Sequence, residues 1–365
     1  MPRHSRRDHR VDELLREPFA IRAGVDLYVS LVVSPRVDGF AFAGRVLGDD
    51  LEGRVERLMI SGDRFAFHAA FDAPSEFSLP AEFDRQVRAF GGDVQEVLST
   101  LNVAVVGSGG TGSSVCEQLV RLGVRRLVLV DPDTLSASNV TRVYGSTPAD
   151  VGRPKVEILR DHLQAIAPDV VIDTIEGKVT EEPLARRLVG SDVIFGCTDD
   201  NAGRLVLSRV AAYYLKPLID CGVLISSTDG FLEGIDGRVT VVTPGRACLV
   251  CRGRIDMARA QAEQLDPTER AARAAEGYAP ELGAVEPAVV SYTTAVASAA
   301  VSELLERLIG YGPDIEPGEI LLRMHDREIS TNVVEPNPRH YCSLDAGLLG
   351  VGDATPFLGM TWPSS

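Results

Sequence analysis

The chain contains no run long and apolar enough to read as a transmembrane helix. Its first residues, Met1-Pro2-Arg3-His4-Ser5-Arg6-Arg7, are basic, but no apolar stretch follows them. They read as a disordered tail and not as a signal peptide. Cysteine is scarce, with six residues at Cys116, Cys197, Cys221, Cys248, Cys251 and Cys342. Only Cys248 and Cys251 lie close together, and a lone CxxC pair in a long chain points to metal or redox chemistry in a reducing cytoplasm. Positive charge is in deficit, with 37 Lys and Arg against 52 Asp and Glu, for a net charge of -15. An acidic chain is a poor general ligand for phosphate backbones, so nucleic acid is disfavoured as the main partner. Internal repeats and low-complexity blocks are missing too.

What is present is a large apolar supply: 45% of 365 residues are hydrophobic. That suffices for one large domain and something smaller. Residues 1–80 read as an N-terminal accessory domain, α+β or β-rich, with short strands at 26–33, 40–46 and 65–70. Asp38-Gly39 and Gly62-Asp63 read as its turns, and Pro80 marks its end. From residue 101 strands and helices alternate, with strands at 103–106, 127–130, 170–175, 192–196, 217–220 and 238–243. Helices fit 113–122, 154–167, 181–189 and 201–215, then 256–276 and 287–309, before a hairpin at 319–324 and 328–334. This alternation predicts an α/β fold: a doubly wound, Rossmann-like, mostly parallel sheet over residues 81–343. The Gly- and Pro-bearing residues 344–365 read as a loose tail.

The strand at 103–106 runs into Gly107-Ser108-Gly109-Gly110-Thr111-Gly112. Glycines there allow a tight turn and close approach of phosphates, and the following helix offers free N–H groups. Asp131, at the end of the next strand, suits a ribose hydroxyl. On this loop alone, a nicotinamide or flavin oxidoreductase is the ordinary reading.

Further residues redirect it. Asp131-Pro132-Asp133 leads to Ser138-Asn139-Val140-Thr141-Arg142; then come Gly152-Arg153-Pro154-Lys155 and Cys197-Thr198-Asp199. Together with Gly107, Gly109, Gly110 and Gly112, this ordered set resembles the ThiF/MoeB/HesA family of ubiquitin-activating-like adenylyltransferases. Phe83-Asp84-Arg85-Gln86 resembles that family's entry motif, and the resemblance spans residues 82–343. It implies ATP- and magnesium-dependent adenylation of a carboxylate. Both reactants are anionic, so fixed cations and a metal must surround the triphosphate. By the resemblance, Arg142 and Lys155 supply positive charge, Asn139 bonds phosphate or ribose, and Asp131 and Asp133 flank the nucleotide. Asp199 holds magnesium, though it is also a candidate helix N-cap. Arg85 reaches the nucleotide site of a second subunit, which implies a homodimer. Asp200 departs from the family, which has Asn there. Arg204 is expected in a structural ion pair.

Cys248-Leu249-Val250-Cys251 has the spacing of zinc ligands. The family carries a second such pair near its C-terminus, where this chain offers only Cys342 and His340. A structural zinc held by Cys248, Cys251, His340 and Cys342 is expected, against the alternative of ordinary thiols at a degenerate site. Cysteine is missing from the stretch between Cys251 and Cys342, where relatives carry a thioester. Catalysis is therefore expected to stop at the acyl-adenylate, with Cys221 the remaining candidate nucleophile. The implied substrate is the C-terminus of a ubiquitin-like or sulfur-carrier protein, or alternatively a peptide or natural-product precursor. A non-catalytic nucleotide-binding scaffold is the third reading. In residues 1–95, His4, His9 and His68 stand isolated and do not make a metallopeptidase ligand set.

Overall fold

The computed structural model describes residues 2–24, 26–37, 39–71, 78–266, 268–269, 287–313 and 317–362. They fall into two compact units, residues 1–60 with 65–78, and residues 61–64 with 79–365. Within the described residues, no helix is long and apolar enough to cross a membrane.

The smaller unit opens with α1 (Arg6–Ala23), a helix that takes in the last two residues, Arg6 and Arg7, of the expected basic tail. Its start is fixed by a reciprocal cap: Asp8 N–H donates to Ser5 Oγ at 3.2 Å, and Ser5 N–H donates to the Asp8 carboxylate at 2.6 Å. Two orphan amides are satisfied at once, and Asp8 adds negative charge where the helix dipole favours it. Strands β1 (Tyr28–Arg36), β2 (Gly39–Leu47) and β3 (Glu52–Val55) form one antiparallel sheet. β4 (Arg57–Ser61) and β5 (Phe65–Ala69) form a separate pair.

The larger unit is built on eight strands: β6 (Asn102–Val106), β7 (Arg126–Val130), β8 (Val171–Ile175), β9 (Val193–Gly196), β10 (Leu218–Thr228), β11 (Phe231–Val242), β12 (Glu319–Arg323) and β13 (Glu328–Asn332). Their order is β13-β12-β11-β10-β9-β6-β7-β8. The half from β8 to β10 is parallel, and β10 to β13 is antiparallel. Two short strands expected at 217–220 and 238–243 are the roots of one long hairpin, β10–β11. β6, β7 and β9 are apolar runs because both faces of the central parallel strands are covered, whereas the edge strand β8 carries Asp173 and Thr174. Val103, Ala104, Val105, Ile194 and Phe195 are fully buried.

Helices α2 (Asp84–Phe90) and α3 (Gly92–Thr100) precede the sheet. Next come α4 (Gly110–Arg121), α5 (Lys155–Ile166), α6 (Glu182–Arg187), α7 (Asn201–Tyr213), α8 (Met257–Glu263) and a long helix, Val290–Ile309. The helix expected at 256–276 is α8 over its first part; residue 267 and residues 270–276 lie outside those described. From β6 the chain moves outward through β7 and β8, then returns to β9 on the other side of β6. That reversal opens a crevice at the carboxyl ends of β6 and β9, the place where open α/β sheets bind ligands.

The C-terminal segment is not loose. Phe357 and Leu358 are buried in the core cluster that includes α7. Arg209 donates to the Leu358 carbonyl at 2.8 Å, and Trp362 Nε1 donates to the Phe357 carbonyl at 2.9 Å. Its glycines and prolines suggested loop, correctly, but its apolar side chains close one side of the core.

Candidate active site

The glycine loop sits in the switch-point crevice. Cys197 N–H donates to the Val106 carbonyl at 2.7 Å, drawing the end of β9 against the end of β6. Gly107 has φ +96°, and a Cβ there would lie 2.6 Å from the Cys197 carbonyl oxygen. A Cβ on Gly112 would overlap the Gly107 carbonyl oxygen. These two glycines therefore serve close packing. Gly109 differs: a Cβ there would meet none of the described residues within 4 Å. Gly109 is also the N-cap of α4 and makes no side-chain cap, so the first amides of α4 remain open to an anion. Gly110 is overhung: its Cβ position lies 3.1 Å from Thr293 Oγ1 and 3.4 Å from the Arg142 side chain.

Asp131 is buried, and both of its oxygens accept backbone hydrogen bonds, from Ser108 N–H at 2.6 Å and Asp133 N–H at 2.9 Å. Burial pushes its carboxyl above the usual range, with Lys155 opposing the rise. Asp131 thus locks the glycine loop to the end of β7. Lys155 Nζ lies 2.7 Å from the Asp133 carboxylate and 3.9 Å from Asp131. Lys155 is nearly buried, and Asp133 is exposed. The segment before α5 is stitched back to the Asp133 segment, with Lys155 N–H donating to the Asp133 carbonyl at 3.0 Å.

Asn139 closes a short 3-10 turn, its Oδ1 accepting from Ser136 N–H at 3.2 Å. Arg142 follows it and donates from Nη1 to the Ser138 carbonyl at 3.1 Å. Its aliphatic stem passes over Gly110. The paired aspartates divide their work. Asp200, not Asp199, caps α7, accepting from Gly203 N–H and from the Thr198 hydroxyl. Asp199 is exposed at the mouth of the crevice, and among the described residues nothing bonds its carboxylate. Arg204 lies 3.5 Å from the fully buried Asp220, the structural ion pair expected of it.

Arg85 is not brought to the cradle by its own chain. It is exposed on α2, and its neighbour Gln86 donates to the Arg121 carbonyl at 2.9 Å, at the far end of α4. Eleven residues of helix rise separate that end from Gly110, about 17 Å, beyond the reach of one side chain.

The family model of ThiF matches residues 83–344. The chain belongs to the ThiF family. It is 33% identical over 177 residues to the molybdopterin-synthase adenylyltransferase of Escherichia coli, covering 47% of this chain and 68% of that protein. The SAMP-activating enzyme E1 of Haloferax volcanii is 30% identical over 161 residues, covering 44% of this chain and 56% of that protein. Among solved structures, E. coli MccB with ATP superposes with a TM-score of 0.56 at 16% identity, over 74% of this chain and 76% of that one. The microcin C7 biosynthetic enzyme MccB in complex with N-formylated MccA gives a TM-score of 0.57 at 18% identity, over 74% and 77%. At such identities the likeness is one of fold.

The second cluster in this ThiF-family chain is Cys248, Cys251, His340 and Cys342, whose donor atoms lie within 4.8 Å of one another. Cys251 Sγ is 3.6 Å from Cys342 Sγ, and His340 Nδ1 is 3.4 Å from Cys248 Sγ and 3.3 Å from Cys342 Sγ. Tetrahedral zinc with ~2.3 Å bonds to sulfur separates its ligands by about 3.8 Å, so the donor set fits zinc in type and spacing. The short spacing of His340 and Cys342 is resolved by a turn. His340 N–H donates to the Asn337 carbonyl at 2.9 Å and Ser343 N–H to the His340 carbonyl at 2.8 Å, which aims both side chains at the CxxC loop.

Cys221 and Cys116 are buried. A hydrogen bond with Cys221, and then burial, push the Cys197 thiol well above the usual range. Burial also raises the Cys116 thiol, so Cys116 and Cys197 have little thiolate character. Sequence reasoning missed Tyr144, Ser113, Thr293 and Thr294, which frame the cradle from outside every motif.

Proposed function

We propose that this chain activates the C-terminal carboxylate of a peptide, of the natural-product precursor kind, by adenylation. The observation that carries the reading is the open glycine cradle, with Arg142 over Gly110, Lys155 beside Asp133 and an unengaged Asp199 at its mouth. A carboxylate oxygen attacks the α-phosphorus of ATP, the bond to the bridging oxygen breaks, and pyrophosphate leaves. Arg142 and Lys155 neutralise the charge that accumulates on the phosphate oxygens, and the α4 amides orient the chain of phosphates. Asp199 is the residue that would hold magnesium, which supplies further charge neutralisation when bound. A nicotinamide enzyme has no need of this cationic group.

The peptide reading draws on the likeness to MccB, a microcin C7 biosynthetic enzyme solved with N-formylated MccA. The sequence relatives support a second reading, the C-terminus of a small carrier protein, since one is a sulfur carrier protein ThiS adenylyltransferase. The zinc cluster, with all four donors supplied by protein, is read as structural. Arg85 is read as acting in the site of a second subunit of a homodimer.

The test is ATP–pyrophosphate exchange with magnesium, using peptides and carrier proteins with free or amidated C-termini. Exchange is expected only with a free C-terminal carboxylate, and Lys155→Ala should abolish it. Exchange that ignores amidation, or survives that substitution, would overturn the reading.

A further inference from the structure

Arg142 stands on a short segment without regular structure, yet the reaction requires its guanidinium at a fixed place. Two residues on, Tyr144 ties that segment down at both ends of the tyrosine. Its backbone N–H donates to Ser113 Oγ at 3.0 Å, on the first turn of α4 behind the glycine loop. Its hydroxyl lies 3.0 Å from Thr294 Oγ1, on the second turn of the helix Val290–Ile309. Thr293, the neighbour of Thr294, is the residue that overhangs Gly110. Gly145 packs directly against the His162 ring of α5, which leaves the segment no room to slide outward. The tyrosine therefore bridges the two helices whose N-terminal turns bound the cradle, and Arg142 projects over Gly110 between them.

We infer that Tyr144 is a positioning residue for Arg142, acting through its hydroxyl on Thr294 and its amide on Ser113. The inference rests on the adenylation reading above. A hydroxyl–hydroxyl bond holding a side-chain segment is worth little in binding ATP at the ground state. It matters more where charge must be met within a fraction of an ångström, since small misplacements cost heavily in the transition state. The signature is a fall in kcat with little change in the KM for ATP.

The experiment compares Tyr144→Phe, Thr294→Val, their combination and Thr294→Ser with wild type and Arg142→Ala, in substrate-dependent ATP–pyrophosphate exchange. Thermal melting is followed alongside. Tyr144→Phe and Thr294→Val should each lower kcat about tenfold at nearly constant KM and melting temperature, and the double variant should be no worse than either. Thr294→Ser, which keeps the hydroxyl, should restore the rate. Loss of exchange in Arg142→Ala with wild-type kcat in Tyr144→Phe overturns the positioning role while leaving adenylation standing. Additive losses in the double variant also overturn it, because the two hydroxyls would then act separately. Undiminished exchange in Arg142→Ala removes the reading on which the inference stands.

Discussion

Asp199 and Asp200 are the same residue type in adjacent positions, and only their surroundings separate them. Asp200 spends both oxygens on the start of α7, bonding Gly203 N–H and the Thr198 hydroxyl. Asp199, three residues past the end of β9, is exposed, and among the described residues nothing bonds its carboxylate. Asn is as good an N-cap as Asp, so Asp200→Asn should leave both stability and exchange close to wild type. Asp199→Asn removes the charge proposed to meet magnesium and should abolish exchange while leaving urea unfolding unchanged. An Asp200→Asn enzyme that loses activity with its fold intact would reverse the assignment. Out of structure, the family's Asn at the second position was the only hint, because two neighbouring carboxylates have equal capping and metal-binding chemistry.

At the scale of elements, the strongly periodic or uniformly apolar segments were legible, and the context-dependent ones were not. β6, β7, β9, α4, α5, α7 and the helix Val290–Ile309 follow from apolar runs and amphipathic spacing bounded by glycine. α1 was missed because its first turn is crowded with arginine; the Ser5–Asp8 cap outweighs that composition. The C-terminal segment was misread because glycine and proline report local conformation and say nothing of burial. Phe357 is 2% exposed, its ring stacks on Trp362 at 5.6 Å, and Arg186 lies over it at 3.9 Å. Phe357→Ala should cost roughly 3 kcal/mol by leaving a cavity. Trp362 is the chain's single tryptophan, so its fluorescence during urea unfolding reads that loss directly. An unchanged midpoint would mean the segment does not close the core in solution.

For the whole molecule, the two predictions concern what joins distant parts. The cluster of Cys248, Cys251, His340 and Cys342 brings residues 248–251 together with residues 340–342, closing a loop of nearly a hundred residues. About one zinc per chain is expected by elemental analysis, and Cys251→Ser should lose it together with thermal stability. Protein purified without chelator that contains no zinc would refute the site. Arg85 stands on α2, whose Gln86 bonds the far end of α4, and its proposed role is in the cradle of a second subunit. Arg85→Ala and Lys155→Ala should each be inactive alone, and mixing them after subunit exchange should restore about a quarter of wild-type activity through one intact site per mixed dimer. No recovery from a mixture shown to contain mixed dimers would place Arg85 outside the reaction.

Residues whose role depends on chemical type and chain spacing were readable from the sequence. The glycine loop after β6 and the CxxC pair are of this kind, because a tight strand–helix turn and clustered thiol ligands impose local patterns. So was the alternation of strands and helices, since period and strand–helix order are properties of the chain itself. Three-dimensional packing alone decided which of two aspartates caps α7, and that Asp131 spends its oxygens on the loop. It also brought His340 into line with Cys342, and set Tyr144 between two helices separated by more than a hundred residues. Those outcomes depend on which surfaces meet across the sheet, and no local pattern encodes that.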